Sequence, residues 1–349
     1  MRPRVSAALV GTLLVGAIAS ACDNAGGDDA TGGPPVPTTV AGPSTSTATA
    51  PPSSTGPVAE GTGATVSIAS AEATVGDDAP PARLDPRVSG SLDAAGFATR
   101  LSESHALMVD QTADPVDRAQ AGVDHQLVLR ELAGRPELDD AVLAAVEPSA
   151  GPAVERTVRA RQFLQQRSAS RPPQPLPAEL PAWTIAEPEP IETLRAHYAE
   201  AEQLTGIAWY WLAAIHLQET RMGRIRGVSS AGAVGPMQFL PTTWEVCCSG
   251  DPRVTRDAIV GAATYLAQSG GPGDMATAVY EYNPNDGYVA VVTAYAENLR
   301  DEPELLSGYH AYQVFVGTTA GTIRLPIGYA AAVPIDAAAY LAEHPADGA

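Results

Sequence analysis

Glu219 stands four residues after Ile215 and eight after Trp211, on the stripe that Ile207, Trp211, Ala214 and Ile215 trace through a strongly apolar stretch. Those intervals are helical, so the spacing predicts a helix from Ile207 to Arg221 with Glu219 on its buried face, in the last turn. Burial and the negative end of the helix dipole both favour the neutral carboxyl, the state a general acid needs. A second reading stays open at this point, in which Glu219 pairs with Arg221, Arg224 or Arg226 at the helix end. His216 lies three residues before Glu219, a spacing that can hold metal, but no third ligand follows at a recognisable interval. No metal site is expected, and His216 reads as packed. Asp251, Asp257 and Glu281 are the carboxylates that could supply a second acid or base, although Asp257 reads more simply as an early-turn charge on the "RDAI" helix. Cys247 and Cys248 are adjacent, either a vicinal disulfide or two free thiols.

The elements that must position these groups read as mainly helical. "DPVDRAQAGVDHQLVLRELAG" opens with an Asp114 cap and Pro115 and stops at Gly134. With Leu101 to Val109, Pro136 to Val146 and Val154 to Gln166 it forms a helical region over 89–170. "RPPQPLPAELP" follows, a proline-rich connector placed at 171–185. A second helical block occupies 186–300, running through "IAWYWLAAIHLQETR", "TRDAIVGAATYLAQSGG", "TAVYEYN" and "YVAVVTAYAENL". Past residue 300 the runs "YHAYQVFV" and "TIRLPIGY" about a glycine-containing loop predict a β-hairpin and tail over 301–349.

The chain of 349 residues carries a formal charge of −19, and all its basic residues are arginine. Such a balance argues against nucleic acid as a partner, since affinity there comes from basic patches. Arg2 and Arg4, the apolar run Val5 to Ile18 and the small residues Ala19 to Ala21 predict a signal peptide over 1–21. Cys22 directly after it resembles the bacterial lipobox, with Ala19 in place of the usual Leu; an ordinary signal peptide with a stray thiol is the alternative. Residues 22–88, rich in Pro, Gly, Ser and Thr, read as a disordered tether. Its coil dimension would be about 45 Å. The expected location is the outer face of the cell membrane, held through lipid on Cys22 only, because no stretch reaches the roughly 20 apolar residues of a spanning helix.

The run "ETRMGRIRGVSSAGAVGPMQFLPTTW" (Glu219 to Trp244), followed by "AVYEYN" (Ala278 to Asn283), resembles the lytic transglycosylases of bacterial cell walls. "GPMQFLP", "DPRVTRDAI", "YNPNDGYV", "LPAWTI" and the "QVFV…IRLPIGY" tail are similar to the membrane-bound transglycosylase B type and its actinobacterial lipoprotein relatives. The resemblance extends over about 90–330. It implies a goose-lysozyme-like catalytic domain, with Glu219 catalytic and Ser229, Gly235, Met237, Gln238, Tyr282 and Asn283 binding substrate. The Gly235 to Gln238 segment would open the next helix. The implied substrate is the glycan strand of peptidoglycan, cut at the MurNAc–GlcNAc linkage with formation of 1,6-anhydroMurNAc ends and no cofactor. Glu219 would then act as acid first and base second, with the sugar's own hydroxyl replacing water. Gly232 and Gly235 would let the backbone approach the saccharide. A hydrolytic muramidase, and a non-catalytic peptidoglycan-binding lipoprotein, are the rival readings. Partner proteins in wall remodelling are not specified by the sequence.

Overall fold

The computed structural model describes residues 92–169 and 175–348. The expected signal peptide, Cys22 and the tether lie outside the described residues. Four helices come first: α1 (Ala94–Val109), α2 (Pro115–Ala133), α3 (Asp139–Ala145) and α4 (Gly151–Ala169). Asp93 caps α1 by accepting from the Gly96 amide at 2.8 Å, and Asp114 caps α2 through the Val116 amide at 2.7 Å. Each such cap satisfies an amide that the helix itself leaves without an acceptor. The single helix expected over 136–146 is divided, because a 3₁₀ turn at Pro136–Leu138 precedes α3. Phe97, Leu101, Val128, Leu132, Val142 and Val154 close a core of their own among these helices.

The second block holds α5 (Ile191–Thr205), α6 (Trp209–Thr220), α7 (Pro241–Cys247), α8 (Thr255–Gln268), α9 (Met275–Tyr282), α10 (Asp286–Asp301) and α11 (Leu305–His310). Helix α6 runs through the middle, packed by α5, α8, α10 and α11. The apolar stripe expected on it is therefore an understatement, since every residue from Leu212 to Thr220 is buried. A helix surrounded on all sides has no solvent face to write into its sequence. Leu212, Ile215 and Leu217 are fully buried. Each such burial stabilises by about 2 kcal/mol, which lets the same helix carry polar side chains inside.

The first four helices dock directly on this block. Helix α4 lies along α10, and α2 packs on α11. A Cβ added at Gly122 would sit 2.2 Å from the Gly308 carbonyl oxygen, so α2 and α11 meet backbone to backbone. Asn298 of α10 is buried and donates to the Ala153 carbonyl at 3.2 Å and the Tyr309 hydroxyl at 3.1 Å, while its own oxygen accepts from Arg156 at 3.1 Å. Gln126 exchanges two bonds with the Gln313 backbone, at 3.0 and 2.7 Å.

Strands are few and short. β4 (Val314–Thr318) and β5 (Gly321–Leu325) form the expected hairpin, pairing Val314 with Leu325 and Thr318 with Gly321. Tyr309 and His310, read as the start of its first strand, belong to α11 instead. Two-residue strands add β1 (Glu179–Leu180) against β6 (Ile335–Asp336), and β2 (Thr184–Ile185) against β3 (Ile225–Arg226). The stretch read as a connector is thus built into a small core from Leu180 onward, where Leu180, Trp183 and Ile185 pack with Val314, Ile323 and Leu325. A last helix, α12 (Ala337–Glu343), follows β6. Among the described residues no helix is long and apolar enough to cross a membrane.

Candidate active site

Helix α6 ends abruptly: Arg221 and Met222 take left-handed backbone angles, φ 55° and 58°, and Gly223 follows at φ 87°. Their amides return to the helix, Arg221 to the Leu217 carbonyl and Met222 to that of His216, both at 3.1 Å. Glu219 sits just before this stop and is 5% exposed. The Tyr288 hydroxyl, in the first turn of α10, donates to its Oε1 at 2.6 Å. Burial pushes the Glu219 carboxyl from its ordinary 4.5 up to about 7, and the Tyr288 bond holds it below what burial alone would impose. The ion-pair reading of Glu219 does not hold. Arg221 donates to the Leu217 carbonyl, and Arg224 donates to the His310 carbonyl with Glu187 at 3.6 Å. Arg226 is exposed on β3. No ion pair of the described residues includes Glu219.

The Gly235 to Gln238 segment is a tight turn and does not open a helix. Val234 and Phe239 close it by exchanging backbone bonds at 2.8 and 3.0 Å, and α7 begins only at Pro241. Its angles explain this, since Gly235 at φ 78° and Gln238 at φ 49° lie outside the right-handed helical region. Gly235 is pressed on the next loop, where an added Cβ would fall 1.8 Å from the Pro252 carbonyl oxygen. Met237 is fully buried, its side chain packed in the core of the helical block. The Tyr282 hydroxyl donates to its carbonyl at 2.6 Å. Gln238 turns its Nε2 to the Gly235 carbonyl at 2.8 Å, leaving Oε1 buried with no partner.

Tyr282 closes α9, and its ring meets Phe239 and Tyr265 edge on, at 5.6 and 5.8 Å between centroids. Its hydroxyl and that of Tyr288 are both held well above the ordinary range, first by burial and next by the Glu219 charge. The Glu219 charge is therefore felt at both tyrosine hydroxyls. Asn283 follows Tyr282 directly and is buried at the helix end, its amide on the Val279 carbonyl at 3.1 Å. Ser229 lies half-buried in the loop before the turn, where its Oγ accepts the Ala233 amide at 3.0 Å.

Tyr288 escaped the sequence reading. Its signal lay in "NPNDGY": Asn285 caps α10 by accepting from the Gly287 amide at 2.8 Å, which sets Tyr288 in the first turn facing back to α6. Removing its hydroxyl tests the geometry directly. In Tyr288→Phe the Glu219 carboxyl is expected to titrate higher than in the wild type, since the lost bond favoured the ionised form. Carbon-13 labelling of the carboxyl reads this, and a lower or unchanged midpoint would mean the contact does not exist in solution.

The remaining candidates have other duties. His216 is fully buried with Nδ1 2.9 Å from the Tyr198 hydroxyl, and burial pulls it down to about 3, so it is neutral. Among the described residues no group of three His, Cys, Asp or Glu is arranged to hold a metal ion. Asp257 accepts the Asp251 amide at 3.1 Å and pairs with Arg256, while Asp251 accepts the Arg253 amide at 2.9 Å. Glu281 is exposed. None of the three is among the groups that influence Glu219. Cys247 and Cys248 are joined as a vicinal disulfide at the end of α7.

Over 80 residues the chain is 38% identical to the membrane-bound lytic murein transglycosylase F of Thiobacillus denitrificans. The match covers 23% of this chain and 17% of that protein, so it spans less than a fifth of the relative's length. No family model matches the chain. No solved structure matches it.

Proposed function

We propose that this chain is a peptidoglycan lytic transglycosylase that cuts the MurNAc–GlcNAc β-1,4 bond and leaves 1,6-anhydroMurNAc ends. The observation that carries the reading is one buried carboxyl, Glu219, raised to about 7 and bonded through Oε1 to Tyr288, with no other carboxylate among the groups that influence it. Hydrolysis of a glycoside ordinarily calls for two carboxylates, one on each side of the bond. A single one suffices when the acceptor is the sugar's own C6 hydroxyl. Glu219 Oε2, the oxygen that Tyr288 leaves free, gives its proton to the glycosidic oxygen as the bond to the anomeric carbon breaks. The C6 oxygen then bonds that carbon and returns its proton to Glu219, so the enzyme is restored and no water is consumed. Tyr288 steadies the carboxylate in between, as hydrogen bonding to the charged form does. Gln238 Oε1 has the chemistry to accept an acetamido N–H, and Ser229 and Asn283 can add neutral bonds to hydroxyl and acetamido groups.

The 80-residue likeness to a lytic murein transglycosylase supports the same substrate class. In this reading the helical domain is goose-lysozyme-like, and the ordered motifs Glu219-Thr220, "GPMQFLP" and "YNPNDGYV" favour the B type. Export, lipid attachment at Cys22 and action in the cell wall complete it. Mass spectrometry of muropeptides released from purified sacculi tests it: products should be one water lighter than hydrolytic ones and resistant to borohydride. Asp251→Asn, Asp257→Asn and Glu281→Gln are expected to keep turnover within about threefold, as groups that take no part in the proton transfer should. Reducing MurNAc ends, or an Asp257→Asn enzyme as inert as Glu219→Gln, would instead identify a two-carboxylate muramidase.

A further inference from the structure

Thr220 follows Glu219, ends α6 and is fully buried. A threonine in a helix commonly turns its hydroxyl back to the carbonyl four residues earlier. Here the His216 carbonyl is taken by the Met222 amide at 3.1 Å. Thr220 Oγ1 instead donates to the Pro236 carbonyl at 2.6 Å and accepts the Gly223 amide at 3.0 Å. One hydroxyl thereby joins the helix that carries Glu219, the left-handed stop that ends it, and the 235–238 turn.

The neighbouring carbonyls of that turn are also held from inside the protein. Gly235 accepts from Gln238 Nε2 at 2.8 Å, and Met237 accepts from Tyr282 at 2.6 Å. The first of these bonds stiffens the turn internally, and those from Thr220 and Tyr282 tie it to α6 and α9, so the turn cannot shift relative to Glu219 without breaking a hydrogen bond. We infer that Thr220 is a positioning residue, whose hydroxyl fixes the Glu219 carboxyl at a set distance from the turn that presents Gln238. The strut rests on geometry alone; what it positions, a sugar held at the turn with its glycosidic oxygen at Glu219, rests on the proposed function. A neutral hydroxyl does this without adding charge beside the carboxyl. The proton affinity of Glu219 is set by burial and Tyr288, so loss of Thr220 should leave it unmoved.

Three full-length variants test the inference: Thr220→Val, which keeps the shape and loses the hydroxyl, Thr220→Ser, which keeps it, and Thr220→Cys should the valine variant not fold. In Thr220→Val, hydrogen exchange of the amides at 237–239 is expected to rise at least about tenfold while those at 212–217 stay protected. On sacculi it should lose about 30- to 100-fold in kcat, with KM within about threefold and the pH profile in place, as misplaced reacting groups do. Thr220→Ser should recover most of that loss. Wild-type exchange at the turn would overturn the strut, and a loosened turn with wild-type kcat would overturn its positioning role. So would a serine variant as damaged as valine, or a pH profile that moves. A wild-type protein that releases no muropeptides would sink the proposed function, and hydrogen exchange would still decide whether the strut exists.

Discussion

Glu219→Gln is expected to lose at least about a thousandfold in turnover, the scale on which general acids act, and to fold more stably than the wild type at neutral pH and above. The second half follows from the sign of the linkage. The folded protein holds the Glu219 proton up to about 7, whereas an ordinary carboxyl releases it near 4.5. Between those values the folded state binds more protons than the unfolded one, so stability falls as pH rises. At pH 8 the ionised, buried carboxylate costs the fold about 3 kcal/mol relative to a side chain that does not titrate. Glutamine removes that cost and still accepts the Tyr288 bond. Its advantage should be near zero at pH 4 and largest at pH 8, where the melting temperature rises by about 5–10 °C. Calorimetry at the two pH values, beside muropeptide release, reads both halves. A variant destabilised equally at pH 4 and pH 8 would mean that Glu219 is not held neutral by burial.

Much of the scaffold could be read from local signals. Asp114 with Pro115 starts α2 where the sequence says, and the apolar runs after residue 312 pair as the hairpin β4–β5. Such features depend on neighbours a few residues away. The site is different in kind. Glu219 was legible as a carboxyl on an apolar stripe, but its partner Tyr288 is 69 residues further on. His216 and Thr220 are buried with hydrogen bonds to the Tyr198 hydroxyl and the Pro236 carbonyl, contacts that no periodicity encodes. The strands β1, β2, β3 and β6 have two residues each, too short to show an alternation. The 235–238 turn misled for a further reason, since a non-glycine residue at positive φ, Gln238, carries no marker in its type.

Gly232 before that turn and Gly235 at its start separate two explanations of why they are small. Gly232, at φ 84°, has nothing within 4 Å of where a Cβ would stand, so Gly232→Ala should cost only the left-handed penalty of about 1–2 kcal/mol. Gly235, at φ 78°, has the Pro252 carbonyl oxygen 1.8 Å from that point and the Arg253 Cα at 3.3 Å. Both are backbone atoms of a loop that Asp257 ties down through the Asp251 amide, so neither can rotate away as a side chain would. Overpacking against backbone adds at least about 2 kcal/mol to the same penalty, and Gly235→Ala should lose about 3–5 kcal/mol in all. Urea unfolding of the two variants measures the difference. If Gly235 were small only to admit a saccharide, both alanine variants would unfold alike and Gly235→Ala would fail in glycan binding alone. If it is small because the 250–253 loop lies on it, the variant unfolds early, and any folded fraction carries a turn displaced from Glu219 and reduced turnover with it.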